Sequence, residues 1–154
     1  MQHHGAPTRL LDFTYSVYVA AYFALEKSKD DYAIWAIKSE WAGKESEKTS
    51  PEARSYLHPL INKETVPLFS AVFMPEAPKR FACPVNPLRL SERITIQKGV
   101  FMCPGDVTTT FEENLRALKG HDSKKNLMKL ILVLDKHQRR EALDDLYDLN
   151  PNVA

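Results

Sequence analysis

Fifteen residues near the start, Gln2 to Ser16, concentrate side chains able to do chemistry: His3, His4, Thr8, Arg9, Asp12, Thr14 and Ser16, with Gly5 among them. Together they offer two imidazoles that titrate near neutral pH, a fixed planar cation, a carboxylate and three hydroxyls. Surface loops are polar, yet few gather so many hydrogen-bonding types directly ahead of an apolar helix pattern. A second polar cluster, Gln97, Lys98 and Gly99 followed by Phe101, lies far downstream. Gln97 can hydrogen-bond but cannot accept a proton at neutral pH.

The elements that must position these groups follow from periodicity. Gly5 and Pro7 keep residues 2–15 out of a helix, so they read as a loop and a short extended segment. Ser16 is a helix N-cap by type. The helix runs from about Val17 to about Lys29, with Val19, Ala20, Phe23 and Ala24 on its buried face. Tyr32 to Ile37 is nearly all apolar and reads as a central strand. Residues 38–64 are charged and read as an exposed insertion with a short helix around 51–62. Val66 to Met74 reads as an apolar strand or short helix. Pro75, Pro78, Pro84 and Pro87 favour an extended connector. Residues 88–96 read as strand or helical turn, with a turn at Gly99 and a strand after it. A short helix over 111–118 turns Phe111, Leu115 and Leu118 inward. Lys129 to Leu134 is a second strong strand. Arg139 to Leu149 is an amphipathic helix with Leu143, Leu146 and Leu149 on one face.

The order of elements implies an α+β fold: one domain over 1–154 with a split mixed or antiparallel sheet and flanking helices. The length of 154 residues suits a single core. Lys and Arg total 21 against 20 for Asp and Glu, a balance that supports neither nucleic-acid capture nor binding to an acidic membrane. No apolar run approaches the ~20 residues of a membrane span. No leader pattern opens the chain, and a cytoplasmic location is expected. Cys83 and Cys103 read as two structural thiols in a reducing compartment, with a disulfide as the alternative. The His3–His4 pair has no third ligand nearby, so no metal site is expected. Glycine motifs of Rossmann and P-loop sites are absent.

The run Gln2-His3-His4-Gly5, Pro7-Thr8-Arg9-Leu10-Leu11-Asp12-Phe13-Thr14, Ser16, then Ala20-Ala21-Tyr22-Phe23-Ala24, closely resembles the signature of the FRG domain family. It departs at Phe13, where the family has Trp, and at Val17, where the family has Pro. Asn86-Pro87 with Leu90, then Gln97, Gly99 and Phe101, is similar to the family's second block. The resemblance covers roughly residues 2–135. The aromatic-Arg-Gly motif that names the family lies upstream of the first block. The chain is therefore expected to be N-terminally incomplete, a degenerate member, or one part of a split protein.

The motif pattern is similar to that of ADP-ribosyltransferases, and the resemblance implies that fold, with NAD as substrate. Thr14 and Ser16 would then orient a ribose, and Arg9 would pair with a pyrophosphate. His3 or His4 would contact a ribose hydroxyl or act as base. Arg9, Gln97 and His4 are the implied catalytic residues. His3, His4, Gly5, Thr8, Arg9, Asp12, Thr14, Ser16, Gln97, Gly99 and Phe101 are the implied NAD-binding set. Structural roles compete with these: Arg9 with Asp12 as an ion pair, Ser16 as a cap, and Gln97 with Gly99 as a hairpin or bulge. The implied setting is bacterial or phage, as a toxin or phage-defence effector with a nucleotide and a protein target as partners. The activity is that of an ADP-ribosyltransferase or NAD glycohydrolase. The alternative is a non-catalytic binding or regulatory domain.

Overall fold

A computed structural model describes residues 8–27, 32–51, 75–85 and 92–149. Their elements run β1 (Leu11–Thr14), α1 (Val17–Lys27), β2 (Tyr32–Ile37), α2 (Ser39–Thr49), β3 (Ala82–Val85), α3 (Glu92–Ile96), β4 (Gly99–Pro104), α4 (Phe111–Arg116), β5 (Leu127–Leu132) and α5 (Lys136–Leu149). This is the expected α+β class. The strands form two antiparallel sheets, one ordered β1-β4-β3 and the other pairing β2 with β5. The readings at 66–74 and 88–91 lie outside the described residues, as does the helix placed around 51–62 beyond Pro51. Among the described residues no helix is long and apolar enough to cross a membrane.

β4 is the centre of the first sheet. Asp12 faces Phe101 and Thr14 faces Gly99 across the β1 side. Cys83 faces Cys103 and Pro84 faces Met102 across the β3 side. Tyr15 N–H donates to the Lys98 carbonyl at 3.0 Å, and Gly105 N–H to the Phe81 carbonyl at 2.8 Å. In an antiparallel ladder, hydrogen-bonded and non-bonded pairs alternate. The Phe81–Gly105 bond therefore makes Cys83–Cys103 a bonded pair and Pro84–Met102 a non-bonded one. Pro84, which has no N–H, sits where none is needed, on the sheet's edge strand. Pro104 has no N–H to offer β1, so the β1–β4 ladder ends there.

Phe81, Ala82, Cys83, Met102 and Cys103 are buried with Leu115, Leu118, Trp41 and Ala42 to form the core. Leu115 and Leu118 point inward as expected. The stretch 38–64 was expected to be an exposed insertion, but its first part is α2, which packs on β3. Trp41, Ala42, Gly43 and Ser46 are its buried face, and the Trp41 indole donates to the Lys119 carbonyl at 2.9 Å. α2 was missed because this face is built of one Trp and small residues, not of a Leu or Ile stripe.

β2 forms as expected, yet among the described residues it pairs on one side only, with β5. Tyr32 and Ile34 are buried while Ala33 and Ala36 are exposed. Alanine counts as apolar in a pattern but tolerates solvent, so the run reads as more fully buried than it is. α1 packs against β2 and against α5. Val19 and Leu25 are its buried residues, whereas Ala20, Phe23 and Ala24 are half-buried. The Arg139 guanidinium on α5 donates to the Leu25 carbonyl at 2.8 Å and the Glu26 carbonyl at 3.2 Å, satisfying carbonyls at the end of α1. Leu143 and Leu146 are half-buried, while Leu149 is exposed.

Candidate functional site

The pairing of β1 with β4 brings the two polar blocks together. The Thr14 hydroxyl donates to the Gln97 carbonyl at 2.6 Å, across 83 positions of sequence. The same oxygen accepts from Ser16 N–H at 3.0 Å. Thr14 thus closes the turn into α1 and ties it to the turn into β4. Ser16 caps α1: its carbonyl accepts from Ala20 N–H at 3.1 Å, and its hydroxyl lies 3.5 Å from Val19 N. The turn before β4 places its positive φ at Lys98 (49°), not at Gly99. Lys98 N–H donates to the Thr95 carbonyl at 3.1 Å, closing the end of α3 in the manner of a left-handed cap. Gly99 leaves only 3.2 Å between an added Cβ and the Ile94 side chain.

A cleft of about 280 Å³ opens between the two sheets beside this junction. Thr14, Tyr15 and Ser16 form one rim, Ile34 and Trp35 of β2 form a wall, and Val100 and Met102 of β4 line the other side. Tyr15, among the lining residues, is 61% exposed. The Lys129 ammonium sits 5.0 Å from the centre of the Trp35 ring. Ser16, Val17 and Ala20, at the start of α1, also line the cleft, and a helix N-terminus carries a partial positive charge. A second depression is lined by Lys44, Glu47 and Lys48 of α2 with Pro51 beyond its end, and by neither polar block.

The expected ligand residues divide into three groups. His3, His4 and Gly5 lie outside the described residues. Thr14 and Ser16 line the cleft, while Gln97 in the turn before β4 and Gly99 at its start meet Thr14 and are not among the lining residues. Arg9 is not among the residues that line the cleft. Its Nε donates to the Pro104 carbonyl at 2.9 Å and a terminal nitrogen donates to the Gly105 carbonyl. Both acceptors are left over where the β4 ladders end, so a planar fork suits them. Thr8 makes a local bond to the Leu10 carbonyl at 3.1 Å. Asp12 and Phe101 face each other in the β1–β4 register and do not line the cleft.

Residues 1–33 match the model of the FRG domain. The matched stretch spans the first motif block, β1 and α1, and ends at the start of β2. The second block, beyond the match, meets the FRG segment through the Thr14–Gln97 bond. No curated protein and no solved structure matches the chain.

Outside these motifs, Asn114 makes five side-chain hydrogen bonds. Asn114 is fully buried. Its Oδ1 accepts from Phe81 N–H at 3.2 Å and Asp106 N–H at 3.0 Å. Its Nδ2 donates to the carbonyls of Asp106 (2.8 Å) and Thr110 (3.0 Å) and to the Thr109 hydroxyl at 3.1 Å. Asn114 and Arg9 do the same job from two sides. At the end of the β3–β4 ladder, Phe81 N–H is diverted to Asn114 and the Gly105 carbonyl to Arg9. Asp106 is held below the usual carboxylate range, chiefly by the Thr108 hydroxyl and backbone N–H, with Arg80 also near. The signal in the sequence was Thr110-x-x-Glu113, which forms a reciprocal capping box at the start of α4. It marks the helix on which Asn114 rides.

Proposed function

We propose that the chain is a nucleotide-binding FRG domain that takes NAD at the inter-sheet cleft and acts in the manner of an ADP-ribosyltransferase. The observation that carries this reading is the junction of the Thr14–Ser16 block with the Gln97–Gly99 block at the rim of that cleft. Small-molecule sites occupy clefts of about 300–1,000 Å³ with apolar walls and a few convergent polar groups. A cleft of about 280 Å³, just below that range, suits one mononucleotide half of NAD, with the remainder lying over the rim. The Tyr15 and Trp35 rings supply faces for a planar base. The N-terminus of α1 favours a phosphate there. Ser16 orients a ribose, and the residues for acid–base work are sought in the His3–His4 pair, since Gln97 cannot take a proton. The setting that follows is a bacterial or phage effector acting on a protein target.

The test is NAD titration followed by calorimetry, with Tyr15→Ala as the variant. Tyr15 is exposed, so its loss leaves the core alone. We expect saturable binding that Tyr15→Ala weakens about tenfold, equivalent to the ~1.4 kcal/mol of a lost stacking contact. Binding equal in both proteins would overturn the assignment to this cleft.

A second reading is favoured by Arg9 and Thr14, whose polar groups make main-chain bonds. In this reading the FRG segment is a scaffold, and the domain binds or regulates without turnover. Saturable NAD binding with no release of nicotinamide would select it.

A further inference from the structure

Cys83 and Cys103 lie 20 positions apart and face each other directly across the β3–β4 ladder. Both are free and buried, at 0% and 2% exposure. The Phe81–Gly105 hydrogen bond fixes the phase of this ladder, so they form a hydrogen-bonded pair. Such pairs hold their Cα atoms about 5.5 Å apart. Disulfides span Cα separations of about 4.4–6.8 Å. Directly opposed residues also direct their side chains to the same face of the sheet. The Cys83 thiol lies 3.7 Å from the Cys103 carbonyl, next to the other sulfur's own backbone.

We propose that Cys83 and Cys103 are an oxidative modification site, closing to a cross-strand disulfide with a local approach of β3 and β4 that brings the Cβ atoms into bonding range. The oxidant is a low-molecular-weight disulfide such as oxidised glutathione. One cysteine thiolate attacks it, forming a mixed disulfide and releasing one glutathione thiol. The second cysteine then attacks the protein sulfur of that mixed disulfide and expels the second glutathione. Two protein thiols lose two electrons and two protons, and one glutathione disulfide becomes two thiols. Burial raises the Cys83 thiol to about 12 and the Cys103 thiol to about 11, so attack from the closed fold is slow. β3 is an edge strand among the described residues, and its opening sets the rate. The bond would lock the strands whose opposite face, at Pro84 and Met102, lines the cleft.

The test equilibrates the whole chain in a glutathione redox buffer, both from the folded reduced protein and by refolding from urea. Free thiols are then alkylated and the peptides mapped by mass without reduction. The expected product is a Cys83–Cys103 cross-linked peptide lacking two hydrogens, obtained from both directions and reversed by dithiothreitol. The oxidised protein should melt about 5 °C higher, because the closed loop restricts the unfolded chain. Free thiols from both directions would overturn the proposal. So would stable glutathione adducts, cross-links between chains, or a disulfide form that melts lower than the reduced protein.

Discussion

Replacing Asn114 tests whether the end of the β3–β4 ladder is a keystone of the fold. Its amide orientation is dictated by its neighbours: two N–H donors face Oδ1 and three oxygens face Nδ2. In Asn114→Ala, the Phe81 and Asp106 N–H groups lose their acceptor in a site with no solvent exposure. Each buried, unsatisfied group costs about 1–3 kcal/mol. With partial relaxation, the expected loss is about 3–4 kcal/mol, a large part of a typical total of 5–15 kcal/mol. For a domain of this size, Tm should fall by about 8–15 °C. Asn114→Asp is the sharper perturbation, because it keeps the shape and both accepted bonds. It turns the donor nitrogen into an oxygen facing three oxygens. Burial and the Asp106 carboxylate would raise the new carboxyl's folded-state pKa, so its penalty is least in acid and grows as pH rises above its unfolded value. Urea unfolding monitored by circular dichroism across pH is the assay. A loss below about 1 kcal/mol for Asn114→Ala, or a pH-independent deficit for Asn114→Asp, would refute the reasoning.

Three further outcomes follow. Gly105→Ala places a Cβ 2.4 Å from the Lys79 carbonyl and the Phe81 ring, so it should destabilise by about 3 kcal/mol or more in the same assay. Lys98→Gly relieves a left-handed backbone and should raise stability by about 0.5–1 kcal/mol, with no change expected in the β1–β4 pairing seen by amide exchange. Asp106 and Glu113 both have depressed folded-state pKa values, from Thr108 and Thr110 hydrogen bonds respectively. Their contribution is complete above the ordinary values of 3.8 and 4.5 and is lost as pH falls through the lower folded values. Asp106→Asn should therefore flatten the acid limb of a stability–pH curve.

Elements with contiguous apolar runs or regular spacing were legible: β2, β5, α1, α4 and α5 fall within a few residues of where periodicity places them. α2 escaped because its buried face is Trp41 with Ala42, Gly43 and Ser46 in a highly charged stretch. β3 escaped because Pro84 argues against a strand until its pairing partner, and so its hydrogen-bonding phase, is known. Gly99 drew the turn to itself, yet Lys98 carries the positive φ; glycine at 99 instead spares a 3.2 Å contact between a Cβ and the Ile94 side chain. The first polar block was legible as a family pattern, but its physical link to the second is a side chain meeting a backbone 83 positions away. Arg9 illustrates the same limit: its partners are main-chain carbonyls, which carry no signature in sequence.

The most direct test of the cleft assignment is binding of NAD by the purified chain, followed by calorimetry with and without Tyr15→Ala. Saturable binding that is weakened about tenfold in the variant, with unchanged unfolding behaviour, is the expected result. Heat absent at saturating NAD, or identical isotherms for the two proteins, would contradict the account.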